Sequence, residues 1–518
     1  MSDLYSRETA RRSLLNTVSY RAISQVATLV GYLVLVRTLP EQPFGIYSLL
    51  YSFIPVLSTA ASLGVELTLK RFQPEYLRSG NPAAAAWLLR VAMLTRLASN
   101  ALVLAAILLA WNLVAPIFKL TGYRVDFAFF SLLVLLYFQG RILELALASH
   151  MLHRYGVGST VLIAVCKLVA YLILAGLHAL TLRTAILSDT IAFGLAYLFM
   201  RVAYYRNTDD SGAVSTFRLP TVERKRVLRY AFFNNFNDAS SLLLYTQTDN
   251  FFIAALLNPV AVGAYAFYTR INAMASNLTP VRLLENVIQP LFFAVPPEQA
   301  SERVPRYFTL LLNCSLIVQL PLVAYAIVYH QEIVALLLGG KFHDLSWLLP
   351  VIVAFGATSN VIAIPVTSVA QYHERASLIL ASQLFGLYQI AAMLLLVPKL
   401  GLLGAATATG TYHLFRNLFV WWKMRMYARW LNFPAVMVCA TAIWGSAIAA
   451  CFAIKAAFSL PPSLALACGA LICAIAAFLY VRSPAVSDSD RDLLEHVFHG
   501  KEIRLLRTLG LVRQPGWS

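Results

Sequence analysis

The stretch RYAFFNNFNDASSLLLYTQTDNFFIAALLNPVAVGAYAFYTRINAMASNLTPVRLLE, residues 229–285, decides how this chain is read. It is two membrane-length segments joined at Leu257-Asn258-Pro259. The first carries Asn234, Asn235, Asn237, Asp238, Ser240, Ser241, Tyr245, Thr246, Gln247, Thr248, Asp249 and Asn250. The second carries Arg270, Asn272, Ser276, Asn277, Thr279, Arg282 and Glu285. Unpaired polar groups in hydrocarbon cost on the order of several kcal/mol each, so neither segment suits a lipid-facing helix. Both are expected to line a hydrated space inside a bundle.

The rest of the chain supplies the bundle. Of its 518 residues, 59% are hydrophobic and 13% charged, with a mean hydropathy of +0.69. Soluble domains average about 25% charged residues, so the fold class is all-α and polytopic in a membrane. Apolar runs of about 20 residues, enough to cross a bilayer as helices, occur about 14 times. They lie near 13–38, 43–68, 89–118, 127–149, 157–177, 180–204, 228–257, 263–294, 307–329, 346–370, 376–397, 401–422, 433–456 and 462–481. The first run lacks a small-residue cleavage site and reads as a span, not a signal peptide. The net charge of +17 resides mostly in short segments on one side of these runs. That is the positive-inside pattern with both termini cytoplasmic, and it removes the case for a nucleic-acid partner. The six cysteines stand in apolar runs without metal spacing and read as small buried hydrophobes. His150 and His153 have no third ligand nearby, so no metal site is expected.

A repeat divides the chain. Leu39-Pro40-Glu41-Gln42-Pro43-Phe44-Gly45-Ile46-Tyr47 follows the first run and Leu257-Asn258-Pro259-Val260-Ala261-Val262-Gly263-Ala264-Tyr265 follows the seventh, with Leu, Gly and Tyr in register. An even number of spans separates the copies, which makes them parallel repeats with a site expected between them. The organisation read from this is an amino-terminal lobe over 1–205, a cytoplasmic linker over 206–226 and a second six-helix lobe over 227–427. Two extra helices follow over 428–482, then an amphipathic tail over 483–518 in which Ser487 or Ser489 caps a short helix.

Polar residues at helical spacing mark the candidate cavity. Thr17, Arg21, Ser24 and Thr28 share a face in the first run, and Asn234, Asp238, Ser241, Tyr245 and Thr248 share one in the seventh. The second run adds Tyr51, Ser58, Ser62 and Glu66; the eighth adds Tyr265, Thr269, Asn272, Ser276 and Thr279. The competing reading is that the hydroxyls and amides glue helices together, at about 0.6 kcal/mol each. Arg141 with Glu144 and Arg282 with Glu285 can neutralise each other at i, i+3. Arg21, Arg96, Lys167, Arg270 and Arg416 have no acid nearby in sequence. Either Glu66, Asp189, Asp238 and Asp249 reach them across helices, or they meet an anionic ligand, and a guanidinium fork suits phosphate. Arg21 and Arg270 rank first, with Arg96 and Lys167 behind them. Gly339-Gly340-Lys341-Phe342 lacks the spacing of a phosphate loop, so no ATP-hydrolysing site is read.

The turns at 39–47 and 257–265, Tyr245–Phe252 with its central Asp249, Ile333–Phe342 and Pro398–Ala406 together resemble the polysaccharide transporter branch of the multidrug/oligosaccharidyl-lipid/polysaccharide (MOP) exporter superfamily. That branch contains the Wzx-type flippases of O-antigen, capsule and exopolysaccharide repeat units. The resemblance spans roughly residues 10–425, and Asn250 stands where the family often has a basic residue. It implies a MATE-like fold of two lobes and no enzyme activity. The implied cargo is a polyprenyl-pyrophosphate-linked oligosaccharide moved between leaflets of the bacterial inner membrane, in lipopolysaccharide or exopolysaccharide synthesis. It further implies antiport against H+ or Na+, with Glu66, Asp238 and Asp249 as candidates for the ion and no other cofactor. A polymerase and a chain-length regulator are the implied partners, beside membrane lipids. An inside-negative potential favours outward movement of such an anion by about 2.3 kcal/mol per charge per 100 mV. The alternatives are a lipid II flippase or cation-coupled multidrug exporter of the same superfamily, and a membrane-embedded repeat-unit polymerase. The last is opposed by outer segments too short to hold its chemistry.

Overall fold

The computed structural model describes residues 7–208, 219–241, 246–277, 295–458 and 460–497, and every regular element among them is helical. Ten helices among the described residues are long and apolar enough to cross a membrane, fewer than the runs marked in the sequence. The run at 13–38 yields a shorter apolar segment, Ile23–Thr38. The runs at 228–257 and 263–294 lie partly outside the described residues. Leu402–Met424 is a continuous helix whose Thr407, Thr409, Thr411, His413, Arg416 and Asn417 lower its hydropathy.

The chain packs as two units, Met1–Gly263 and Ala264–Ser518. The first contains α1 (Arg7–Thr38), α2 (Glu41–Ala60), α3 (Val65–Arg78), α4 (Pro82–Leu109), α5 (Trp111–Ile117), α6 (Arg124–Ser149), α7 (His153–Gly176), α8 (Leu182–Asn207), α9 (Thr221–Ser241) and α10 (Asp249–Leu256). Local chemistry starts several of them. Pro40 precedes α2, Asn81 accepts from Ala84 N ahead of Pro82 in α4, and Thr181 and Thr184 form a reciprocal capping box on α8. The boundary falls later than the expected linker, because α9 and α10 pack on α2 and α3. α11 (Pro259–Asn277) runs across it.

One continuous span expected from the sequence is broken. The second span ends at Ala60, where Leu63 and Gly64 take positive φ values of 48° and 67° and Ser62 Oγ accepts from Gly64 N at 3.1 Å. The chain then restarts as α3, so Tyr51, Ser58, Ser62 and Glu66 do not form one helical face. A side chain at Gly64 would meet the Ala231 carbonyl oxygen at 2.1 Å. In the seventh span the short 3-10 turn Thr246–Thr248 leads into α10. α3 buries Leu69, Phe72 and Tyr76 against Leu88, Ala146, Leu147, Tyr204 and Val227, while Lys70 stays exposed. This is the amphipathic pattern of a helix seated on the bundle edge.

The second unit is built on α12 (Ala300–Leu338), which kinks at Tyr329 (φ −111°, ψ 17°). Around it stand α13 (Leu348–Tyr372), α14 (Ala376–Ser382), α15 (Phe385–Leu400) and α16 (Leu402–Met424), followed by α17 (Phe433–Ala457), α18 (Pro462–Arg482) and α19 (Asp488–Val497). Phe308, Leu311, Val369 and Met424 form one core; Ala324, Trp444 and Tyr480 join α17 and α18 to α12. Ser487, one of the two expected caps, closes α19: its Oγ accepts from Asp490 N and Asp490 Oδ2 accepts from Ser487 N.

Candidate functional site

The ionised interior of the amino-terminal unit is the candidate site. α8 places Asp189, fully buried, against two helices that each present a pair one turn apart: Tyr47 and Tyr51 on α2, Lys167 and Tyr171 on α7. The Lys167 Nζ lies 3.0 Å from Asp189 Oδ1, and Tyr171 donates to the same oxygen at 2.5 Å. Tyr47 donates to Oδ2 at 2.7 Å, and Tyr51 donates there too. Lys167 also donates to Tyr51 Oη at 3.2 Å and stands 5.0 Å from the centre of that ring. One carboxylate thus takes three hydroxyl donors and an ammonium, which satisfies a charge that would otherwise be prohibitive at this depth. The Lys167 side chain keeps 21% exposure while that of Asp189 has none. The cation is open on one side and the anion is sealed behind it.

Arg96, expected in the sequence to meet either an acid across helices or a ligand anion, turns into the interior of the bundle. It is wholly buried, donates to Ser58 O at 3.1 Å and Leu57 O at 3.5 Å, and lies 4.1 Å over the Phe138 ring. Those carbonyls lie in the last turn of α2, its negative end, where Leu57 O also accepts from Ala61 N at 3.1 Å. Glu66 completes the arrangement, 3.8 Å from Arg96 and 3.7 Å from Arg141, and Arg141 also pairs with Glu144 at 2.7 Å. Glu66 is a junction between two arginines at the head of α3.

The remaining candidates are dispersed. Asp249 is buried at the start of α10, and its neighbour Asn250 donates to Ser52 Oγ at 2.8 Å. Ser24 donates to Thr160 O at 3.4 Å, tying α1 to α7; Ser58 bonds within its own helix to Pro55 O at 2.6 Å. Ser276 accepts from Asn360 at 3.2 Å, and the Asn272 amide fills the space beside Gly356. Arg270 is exposed on α11. The side chains of Thr17, Arg21, Asn234, Asp238 and Ser241, and all of Tyr245, Arg282 and Glu285, lie outside the described residues. At the α3–α9 edge the Arg226 guanidinium, bonded to Glu75 at 2.9 Å, holds that carboxyl below its ordinary value. Burial first, and then Glu223 beside it, pushes the Tyr76 hydroxyl up to about 12.

Tyr47 and Tyr171 escaped the sequence reading, although Asp189 stood among the acids able to reach a cation. Their signal was the i, i+4 pairing of Tyr47 with Tyr51 and of Lys167 with Tyr171. Aromatic residues at that spacing in apolar helices ordinarily signify packing.

A polytopic helical bundle with charges sealed inside it is the class these observations define, and solved structures share the fold. An inward-facing multidrug resistance MATE family transporter of the MOP superfamily is 15% identical, with a TM-score of 0.63 over 80% of this chain and 98% of that one. The lipid II flippase MurJ, in an inward closed conformation, is 10% identical, with a TM-score of 0.67 over 92% of this chain and 99% of that one. No curated protein matches the sequence. The polysaccharide biosynthesis protein family matches residues 11–293, more than half of the chain, and the protein belongs to that family. It is a multi-pass membrane protein of the polysaccharide biosynthesis family, built on the MOP-superfamily fold.

Proposed function

We propose that this protein is a flippase that moves a polyprenyl-pyrophosphate-linked oligosaccharide repeat unit from the inner to the outer leaflet of the bacterial cytoplasmic membrane, with both termini in the cytoplasm. The observation that carries the proposal is membership of a polysaccharide biosynthesis family in a chain that folds as a membrane bundle. The fold shared with a lipid II flippase supports a lipid-linked cargo. A sugar headgroup cannot enter hydrocarbon, so it needs a polar enclosure while the polyprenyl chain stays in lipid. Arg21 and Arg270 are assigned to the pyrophosphate. The buried Asp249, with Asp238 and Glu66 as the other candidates, is assigned to a coupling H+ or Na+. The two units are assigned the alternating motion.

A deletion strain is expected to lose surface polysaccharide and accumulate lipid-linked units on the inner leaflet. The wild-type gene restores export, whereas Arg270→Ala and Arg21→Ala insert normally and do not. Full polymer from both variants overturns the cationic-cavity assignment. The MATE likeness favours one second reading, a multidrug exporter; drug hypersensitivity of the deletion strain with intact polysaccharide would establish it instead.

A further inference from the structure

The Lys167–Asp189 pair is asymmetric in a way that a purely structural ion pair has no need to be. Asp189 is sealed by Tyr47, Tyr51 and Tyr171, and its partner Lys167 is one-fifth exposed beside Tyr51. The groups facing Asp189 are Tyr47 and Tyr51 from α2 and Lys167 and Tyr171 from α7. From α6, the third helix packed on α8, Phe130 lies against Tyr51 and Tyr137 against Phe193, one turn beyond Asp189. Among the described residues Lys167 is the only cation in that list.

We propose that Lys167, with Tyr51 beside it, is a subsite for the phosphate oxygens of the lipid-linked substrate, and that anion binding there is linked to the uptake of one proton by Asp189. Before binding, the carboxylate is balanced by the ammonium. A phosphate oxygen arriving at the exposed side of Lys167 draws on the same charge and places a second anion near a carboxylate that water cannot reach. A buried charge losing its partner neutralises in preference to remaining ionised. The balance is simple: Asp189 carboxylate, one proton relayed from solvent along the Lys167–Tyr51 hydrogen bonds and the ligand anion become a neutral carboxylic acid and an ammonium–phosphate pair, with no covalent bond to the ligand. The tyrosines serve both states, because their hydroxyls can donate to the carboxylate or accept from the acid. This rests on the flippase reading and adds to it a phosphate subsite and a proton stoichiometry.

The test uses the full-length protein in nanodiscs titrated with undecaprenyl pyrophosphate. Calorimetry in two buffers of different ionisation enthalpy counts the protons taken up. The wild type is expected to take up about one proton more than Asp189→Asn, a variant that keeps an acceptor for the tyrosines and frees Lys167. Asp189→Asn is expected to bind up to about tenfold tighter, and Lys167→Gln at least tenfold weaker. Infrared difference spectra of the wild type alone guard against misfolded variants: ligand addition should produce a protonated-carboxyl band. Equal proton counts in wild type and Asp189→Asn, absence of that band, or unchanged affinity in Lys167→Gln overturns the linkage and leaves the flippase reading standing. No binding by the wild type overturns both.

Discussion

Gly45 and Gly263, the glycines of the two repeat copies, meet backbone to backbone: a Cβ on Gly263 would stand 3.1 Å from the Gly45 Cα. On the other side, a Cβ on Gly45 would stand 1.8 Å from the Pro259 carbonyl oxygen. The residue type that aligned the repeats in sequence is the one that lets them touch.

Gly45→Ala is therefore expected to be the more damaging of the two substitutions. Its methyl collides with main chain, which cannot rotate away, and overpacking of this kind costs about 1–3 kcal/mol or more. Gly263→Ala meets the Phe44 ring edge at 3.0 Å as well as Gly45 and can be eased by a small shift. Melting temperatures of the purified variants check the order; equal melting would remove the close approach as a determinant.

Arg96→Met separates a structural role from a ligand-binding one. Losing the cation removes a donor from the Leu57 and Ser58 carbonyls and leaves Glu66 with Arg141 alone. Breaking a buried pair costs about 3–5 kcal/mol, reduced here to about 2–3 because Glu66 retains 21% side-chain exposure. The expected result is a lower melting temperature and less protein in the membrane. A stable, fully inserted variant that fails only in export would return Arg96 to the substrate.

Asp490 should reveal itself through pH. It is buried on α19, and burial raises its carboxyl above the ordinary aspartate value despite donors from Asn313 at 2.9 Å and Ser487 at 3.1 Å. The folded state therefore holds the proton more tightly than the unfolded one. Its contribution is fullest below the unfolded value, declines as pH rises toward the raised folded value, and then levels. At neutral pH Asp490→Asn should match or exceed wild-type stability. Asp490→Ala, which takes from the Asn313 amide the nearer of its two acceptors, Asn432 at 3.4 Å remaining, should lose about 1–3 kcal/mol. Thermal unfolding between pH 4 and pH 7, a range set around the ordinary carboxylate value, is the measurement; a flat difference between wild type and Asp490→Asn would refute it.

Lys455 secures the kink in α12. Its Nζ donates to Val328 O at 3.2 Å, beside the non-helical Tyr329, and pairs with Glu332 at 2.7 Å. Lys455→Met should destabilise by about 1–3 kcal/mol by leaving Glu332 largely buried and unpaired. Adding Glu332→Gln should recover part of that loss. A double-mutant cycle with no coupling energy would show that the contact is incidental.

Much of this was legible in the chain itself. The all-helical membrane class, the repeat at Gly45 and Gly263 and the Ser487 cap depend on hydropathy, local spacing and side-chain chemistry within a few residues. The interruption between Ala60 and Val65 was not legible, because Ser62-Leu63-Gly64 lies in an apolar run with no proline at the break. Nor was the choice of partner for each cation. Arg96 and Lys167 looked alike in sequence, as single charges in apolar helices.

The sequence by itself determined that these charges had to be neutralised, since an ionised group at membrane depth is too costly to leave alone. Only the tertiary structure decided how. It folded Arg96 inward onto the end of α2, and it brought α2, α7 and α8 together so that Asp189 is sealed while Lys167 stays one-fifth exposed. Pairing between residues on different helices, from 18 positions apart for Tyr171 and Asp189 to 142 for Tyr47 and Asp189, depends on helix packing angles and rotamers, which no local pattern encodes.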